Sequence, residues 1–209
     1  MPFPDAHKMK NPFNTTIIHV LWRHLRPWAM FAIIFVVLRI TGALSGVSYF
    51  TSSALMKTGV LDAATAPPAV MKTFDYNFNI KDLEGHVIDF NRFKGKTIFL
   101  NMWATWCGPC RVEMPAIDEL YKKVKDNDKI VFIMLSLDKS ENFTKVVNFT
   151  KEKGYVFPVY VPSGYLPRQL QVPSIPTTLV INNEGKIVSK ETGTTNYDTP
   201  KFKKFLENL

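Results

Sequence analysis

Cysteine and histidine are scarce in this chain, with two of the former and four of the latter in 209 residues. The cysteines, Cys107 and Cys110, stand three apart, and His86 is the only histidine beyond residue 24. A structural zinc site wants about four ligands, and no second cysteine pair exists to complete one. A disulfide across so short a loop removes little entropy from the unfolded chain. A metal staple and a structural disulfide are therefore both poor readings. No cysteine precedes residue 107 to carry a lipid. The chain also lacks internal repeats, low-complexity tracts and any basic stripe interleaved with aromatics. The net charge is +8, with six basic and two acidic residues in 1–71 and twenty and sixteen in 72–209. A surplus spread so thinly describes a solvated surface, and no nucleic-acid partner is expected.

What remains for a Cys-x-x-Cys pair is redox chemistry. Residues 97–103, Thr-Ile-Phe-Leu-Asn-Met-Trp, read as a buried strand. After Cys110, the residues Ile117, Leu120, Tyr121 and Val124 recur at helical spacing. The motif Trp106-Cys107-Gly108-Pro109-Cys110 thus falls where a strand turns into a helix. Unpaired N–H groups and the dipole at a helix N-terminus favour a thiolate. Cys107 is expected to attack and Cys110, one turn further in, to resolve the mixed disulfide.

The first seventy residues have a different character. In 14–26, Ile17, Ile18, Leu21, Trp22 and Leu25 share one helical face, and Arg23, His24 and Arg26 take the other. This suits an interfacial amphipathic helix, or a helix packed on the soluble domain. Pro27 then breaks or turns the chain. Trp28 to Leu38 are eleven uninterrupted apolar residues, about 16 Å of helix. Continuing to Phe50 gives 23 residues, about 34 Å, enough for a hydrocarbon core of roughly 30 Å. The cost is Arg39 near the middle, on the order of 3 kcal/mol. Gly42 and Gly46 form a G-x-x-x-G that admits a second helix closely. A single membrane span over 28–50 is expected, the alternative being a weakly apolar tail. Ala64-Thr65-Ala66 resembles a cleavage site but lies too far past the apolar run, so an uncleaved anchor is the better fit. Lys8, Lys10, Arg23 and Arg26 precede the run and only Lys57 follows closely, which puts the N-terminus in the cytoplasm and exports the rest. The expected layout is an interfacial segment 1–27, an anchor 28–50, a linker 51–72 and a folded domain 73–209.

Within 73–209 the pattern predicts a hairpin over 73–90 turning at Glu84-Gly85, the strand 97–103 and a helix over 110–125 kinked at Pro115. A second buried strand over 130–135, a helix from a Ser140 cap to Lys153 and a short strand 159–161 follow. A short helix over 164–170, strands 177–181 and 186–191, and a last helix capped at Thr199-Pro200 complete the domain. The alternation indicates an α/β sheet with helices on both faces.

Residues 104–115, Ala-Thr-Trp-Cys-Gly-Pro-Cys-Arg-Val-Glu-Met-Pro, closely resemble the thioredoxin superfamily. Ser174-Ile175-Pro176-Thr177-Thr178 is similar to that family's cis-proline loop. The stretch 73–209 with its anchor resembles the membrane-anchored, exported TlpA/ResA-like branch. The resemblance implies a thioredoxin-like fold, a central mixed sheet flanked by helices, behind an N-terminal transmembrane helix. It implies a substrate platform of Cys107, Ile175 and Pro176, with Gly108 and Pro109 in the active loop and Gly193 in a third loop. Trp106 is the rim candidate beside the nucleophile; Trp103 reads as rim or core. Where cytosolic thioredoxins carry a buried Asp, this chain has Asn101, which relays no proton. The branch instead carries a Glu three residues after the second Cys, and Glu113 matches. A buried Glu113 would have a raised pKa and deprotonate Cys110; a solvated helix glutamate is the plainer alternative.

The resemblance thus implies a bacterial inner-membrane, single-pass reductase whose domain lies on the periplasmic side. It would need no cofactor and no metal, and would pass electrons from a membrane-embedded donor to oxidised proteins, apocytochrome haem-binding pairs among them. The Gly-Pro dipeptide resembles reducing thioredoxins, with potentials of roughly −270 mV; a disulfide-forming oxidase nearer about −120 mV is the rival. A copper-delivery module would need a distant histidine, and nothing after His86 supplies one.

Overall fold

The computed structural model of the chain describes residues 26–34, 36–37, 55–56, 58–65 and 72–209. The chain divides into two units, Met1–Ser45 and Gly46–Leu209. In the first, residues 26–34 and 36–37 are helical and expose Trp28, Met30, Phe31, Ile33 and Ile34. Among the described residues no helix is long and apolar enough to cross a membrane. The expected amphipathic stretch 14–25, the span's remainder over 38–50 with Arg39, Gly42 and Gly46, and linker residues 66–71 lie outside the described residues.

The second unit is built on a seven-stranded mixed sheet in the order β2-β1-β5-β4-β3-β6-β7. Its strands are β1 (Asn79–Asp82), β2 (Val87–Asp89), β3 (Thr97–Trp103), β4 (Ile130–Ser136), β5 (Val159–Pro162), β6 (Thr177–Ile181) and β7 (Ile187–Thr192). The helices α1 (Gly108–Val124), α2 (Phe143–Lys153) and α3 (Pro200–Glu207) accompany them. β3 is buried along its whole length, between parallel β4 and antiparallel β6. Coverage on both faces explains why β3 and β4 read as continuous apolar runs rather than alternating ones.

The helices do not divide between the two faces as expected. Phe99, Trp103, Phe132, Met134 and Val180 form one cluster with Met114, Ile117 and Leu120 of α1, Val146 of α2 and Phe202 and Leu206 of α3. Ile98, Leu100, Met102, Ile133, Leu135, Leu179 and Ile181 point the other way. That face is covered by Phe74, Tyr76 and Phe78 of an irregular lead-in, by Phe90 of a 3-10 turn (Phe90–Phe93) and by Leu170 of another (Arg168–Leu170). The reason is handedness. β3-α1-β4 and β4-α2-β5 are successive parallel crossovers stepping the same way across the sheet, and right-handed crossovers then fall on one side.

Two local expectations also fail. The stretch 164–170 contracts to the turn Arg168–Leu170, with Pro167 before it. Ser140 does not cap α2: Ser140–Asn142 is a 3-10 turn, and α2 begins at Phe143 without a side-chain cap. The Thr199 hydroxyl does cap α3, accepting the Phe202 N–H at 3.1 Å.

Candidate active site

β3 ends at Trp103, and a short loop carries the chain into α1. Asp138, just past β4, holds that loop. Its Oδ2 accepts the Thr105 N–H at 2.7 Å, its Oδ1 the Thr105 hydroxyl at 2.7 Å, and Oδ2 also the Ser136 hydroxyl at 2.8 Å. Cys107 then occupies the cap position of α1 in extended backbone, and its Sγ accepts the Cys110 N–H at 3.2 Å. Sulfur here does what a serine or aspartate oxygen commonly does at a helix start. Gly108 and Pro109 fill the first two helical positions, where a missing N–H costs no helical bond.

Cys107 and Cys110 are joined as a disulfide. Cys110 is fully buried and Cys107 is 4% exposed, so attack is confined to the Cys107 side. Trp106 is 70% exposed beside it, while Trp103 is core, tilted against Phe149 with ring centroids 5.6 Å apart. Cys107 Sγ lies 3.8 Å from the Ile175 carbonyl oxygen, and the Ile175–Pro176 bond is cis. The Gly193 N–H donates to the Pro176 carbonyl at 2.9 Å, and the Thr194 hydroxyl to the Pro109 carbonyl at 3.3 Å. Three loops distant in sequence thus meet around one sulfur.

Beneath them Glu113 is fully buried, so the solvated-glutamate alternative is excluded. Oε1 accepts the Asn101 side-chain N–H at 2.8 Å and Oε2 the Thr195 backbone N–H at 3.1 Å. Burial pushes its pKa up to about 8; the bonds from Asn101 and Thr195 pull the other way without offsetting it. Asn101 Nδ2 also donates to the Thr178 hydroxyl at 2.9 Å. Tyr197, its own pKa raised by burial and then by Glu113, bonds to Thr178 and Thr195. Asn101, Thr178, Thr195 and Tyr197 therefore surround the carboxyl. Among the described residues no group of three or more His, Cys, Asp or Glu is placed to hold a metal ion.

The chain matches the Redoxin family over residues 65–206. It belongs to that family. It is 39% identical over 118 residues to thiol-disulfide oxidoreductase ResA of Bacillus thuringiensis subsp. konkukian (strain 97-27), covering 56% of this chain and 66% of the relative. It is 38% identical over 122 residues to ResA of Bacillus subtilis (strain 168), covering 56% and 65%. The matches thus span just under two thirds of those relatives. Among solved structures, StoA from Bacillus subtilis shares 28% identity at a TM-score of 0.51, covering 66% of this chain and 98% of that one. The chain is a ResA-like member of the thioredoxin superfamily.

The structure brings together Cys107, Gly108, Pro109, Cys110, Ile175, Pro176 and Gly193, with Trp106 exposed next to Cys107 in the chain and Glu113 buried in the same helix. Sequence reasoning missed Asp138, Thr105, Thr178, Thr195 and Tyr197. Asp138 was the most accessible of these, as an acid directly after a buried strand; the others look like ordinary strand and loop residues.

Proposed function

We propose that this protein is a membrane-anchored thiol–disulfide oxidoreductase that reduces disulfides of exported proteins, apocytochrome pairs among them. The observation that carries the chemistry is the Cys107 sulfur at the start of α1, 3.8 Å from the Ile175 carbonyl, with Cys110 buried behind it. A membrane-embedded donor first reduces the Cys107–Cys110 disulfide. The Cys107 thiolate then attacks the substrate disulfide; one substrate sulfur leaves as thiolate and takes a proton. Cys110, giving its proton to the Glu113 carboxylate, attacks Cys107 Sγ. The mixed disulfide breaks, the second substrate thiolate leaves, and Cys107–Cys110 closes, two electrons having passed to the substrate. Ile175, Pro176 and Gly193 form the platform for the substrate peptide, and Trp106 its rim.

The anchor is residues 28–50, with 1–27 on the cytoplasmic side, 51–72 as tether and 73–209 on the periplasmic side of a bacterial inner membrane. The exposed apolar residues from Trp28 to Val37 support this reading, as do the lysines and arginines that precede them.

A Cys110→Ser variant tests the chemistry. It should accumulate a mixed disulfide through Cys107, and a redox titration of the native pair should give a potential near about −270 mV. A potential near about −120 mV would replace the reductase with an oxidase. An export-dependent reporter fused after Leu209 should be active; activity of a cytoplasmic reporter instead would reverse the topology.

A further inference from the structure

On the sheet face away from α1, a groove of about 350 Å³ is lined by Lys72, Arg168 and Lys190, with Gln169 and Gln171 beside them. Its floor is apolar, formed by Val172, Pro173, Leu179 and Ile187. Among the described residues no acidic side chain lines it. Glu191, the next residue after Lys190, points to the opposite face of β7, where it meets Ser189. The Asp75 backbone bonds the Gln169 amide, and its carboxylate accepts the Asn77 N–H. All three cationic side chains are exposed. Among the described residues none of them is in an ion pair or a side-chain hydrogen bond, whereas Lys122, Lys123 and Lys203 elsewhere are each paired with a carboxylate.

The position of the groove matters as much as its charge. Val172 and Pro173 run directly into Ser174, Ile175 and Pro176. Lys190 faces Leu179 across β6 and β7, two residues before Thr192 and the platform residue Gly193. An extended peptide advances about 3.3 Å per residue. Leu179 stands three residues after Pro176 and Val172 three before Ile175, so a peptide whose cysteine sits at Cys107 would need to run toward them for its neighbouring side chains to reach this groove.

We infer that the groove selects substrates, binding an acidic stretch of polypeptide that flanks the target disulfide. This rests on Ile175 being the substrate platform. Three unpaired cations over an apolar floor match an Asp/Glu-rich segment with one apolar side chain. They oppose a lysine-rich one, and repulsion of the wrong charge contributes to such selection as much as attraction of the right one.

Two peptides with the same intramolecular disulfide test this, one flanked by Asp and Glu and one by Lys. Fluorescence anisotropy with the oxidised full chain measures binding without chemistry, and kcat/KM with the reduced chain measures turnover. The acidic peptide should bind about tenfold more tightly at low salt, with a similar ratio in kcat/KM. The preference should shrink once the Debye length falls below about 10 Å. A Lys72→Glu/Arg168→Glu/Lys190→Glu variant should invert the ratio, and the corresponding triple Gln variant should abolish it, with circular dichroism confirming the fold of each. Equal binding of the two peptides would overturn the inference while leaving the redox reading intact. Preferential binding with no turnover of either peptide would overturn the redox reading and, with it, substrate selection, leaving only an acidic-peptide site. No peptide preference, combined with groove-dependent binding to vesicles containing anionic lipid, would overturn it in favour of a lipid surface.

Discussion

Asn101 donates to Glu113 Oε1 at 2.8 Å while its own carbonyl oxygen is buried without a partner. Nδ2 serves Glu113 and Thr178 together. With Glu113 protonated, the reversed amide would offer Oδ1 to the carboxyl O–H and the Thr178 hydroxyl, leaving Nδ2 unpaired instead. Each orientation leaves one amide atom unsatisfied, so neither protonation state of Glu113 satisfies the amide completely. Asn101→Ala removes the bond that pulls the Glu113 pKa down. The pH profile of the resolving step should move to higher pH, and stability should fall by about 1–3 kcal/mol. Stopped-flow reduction of a peptide disulfide across pH measures the first, urea unfolding the second. An unmoved profile would make Asn101 a packing residue alone.

Glu113→Gln keeps the shape and removes the titration. Attack by Cys107 should be almost unaffected, because the helix start stabilises that thiolate. Release of the mixed disulfide should slow by about 100-fold, the scale of a general base. Rapid-quench separation of the two steps would show this, and an unchanged second step would leave water as the base.

The same variant reads the carboxyl's effect on stability. The folded pKa, about 8, is raised above the ordinary value of 4.5. Below the ordinary value both states are protonated and the native state loses nothing. Between the two values the native state alone holds the proton, so its stability falls with rising pH, by on the order of 1 kcal/mol per unit, and levels off above the folded pKa. Relative to Glu113→Gln, the wild type should lose stability between about pH 5 and about pH 8. Parallel urea curves at both pH values check it; a constant difference would mean that Glu113 does not titrate in this window.

Asp138 is buried and holds three donors, two of them on Thr105. Asp138→Ala should destabilise the domain by about 2–3 kcal/mol by leaving those donors unpaired. Alkylation of Cys107 in the reduced protein should also become less selective over Cys110 as the loop loosens. Urea unfolding and mass-spectrometric mapping of a brief iodoacetamide pulse measure the two effects.

Trp106 is the large apolar side chain exposed beside the nucleophile. Trp106→Ala should change stability by no more than about 0.5 kcal/mol. It should lower kcat/KM on a folded protein substrate by about tenfold, with a smaller effect on a small-molecule disulfide. Equal losses on both substrates would assign Trp106 to the chemistry rather than to the rim.

The strands at 97–103 and 177–181 were legible because β3 and β6 are rich in apolar and β-branched residues, as their burial over the full length requires. The hairpin around Glu84-Gly85 was legible from its turn residues, and the α3 start from Thr199-Pro200. Ser140 and the stretch 164–170 were misread because capping and helix propensity are weak signals that tertiary context overrides. The face on which each helix packs was not legible, since amphipathicity says only that a helix has a buried side.

The proline loop was legible through its family resemblance. By itself the sequence determined the dithiol and its place between a buried strand and a helix. Local spacing carries that information, because a strand and a helix each impose their own period on neighbouring residues. Only the tertiary structure decided that α1, α2 and α3 share a face, that Asp138 holds the active loop, and that Asn101, Thr178, Thr195 and Tyr197 enclose Glu113. These contacts join residues tens of positions apart, so they come from the crossing of β3 with β4 and β6, which no local pattern records.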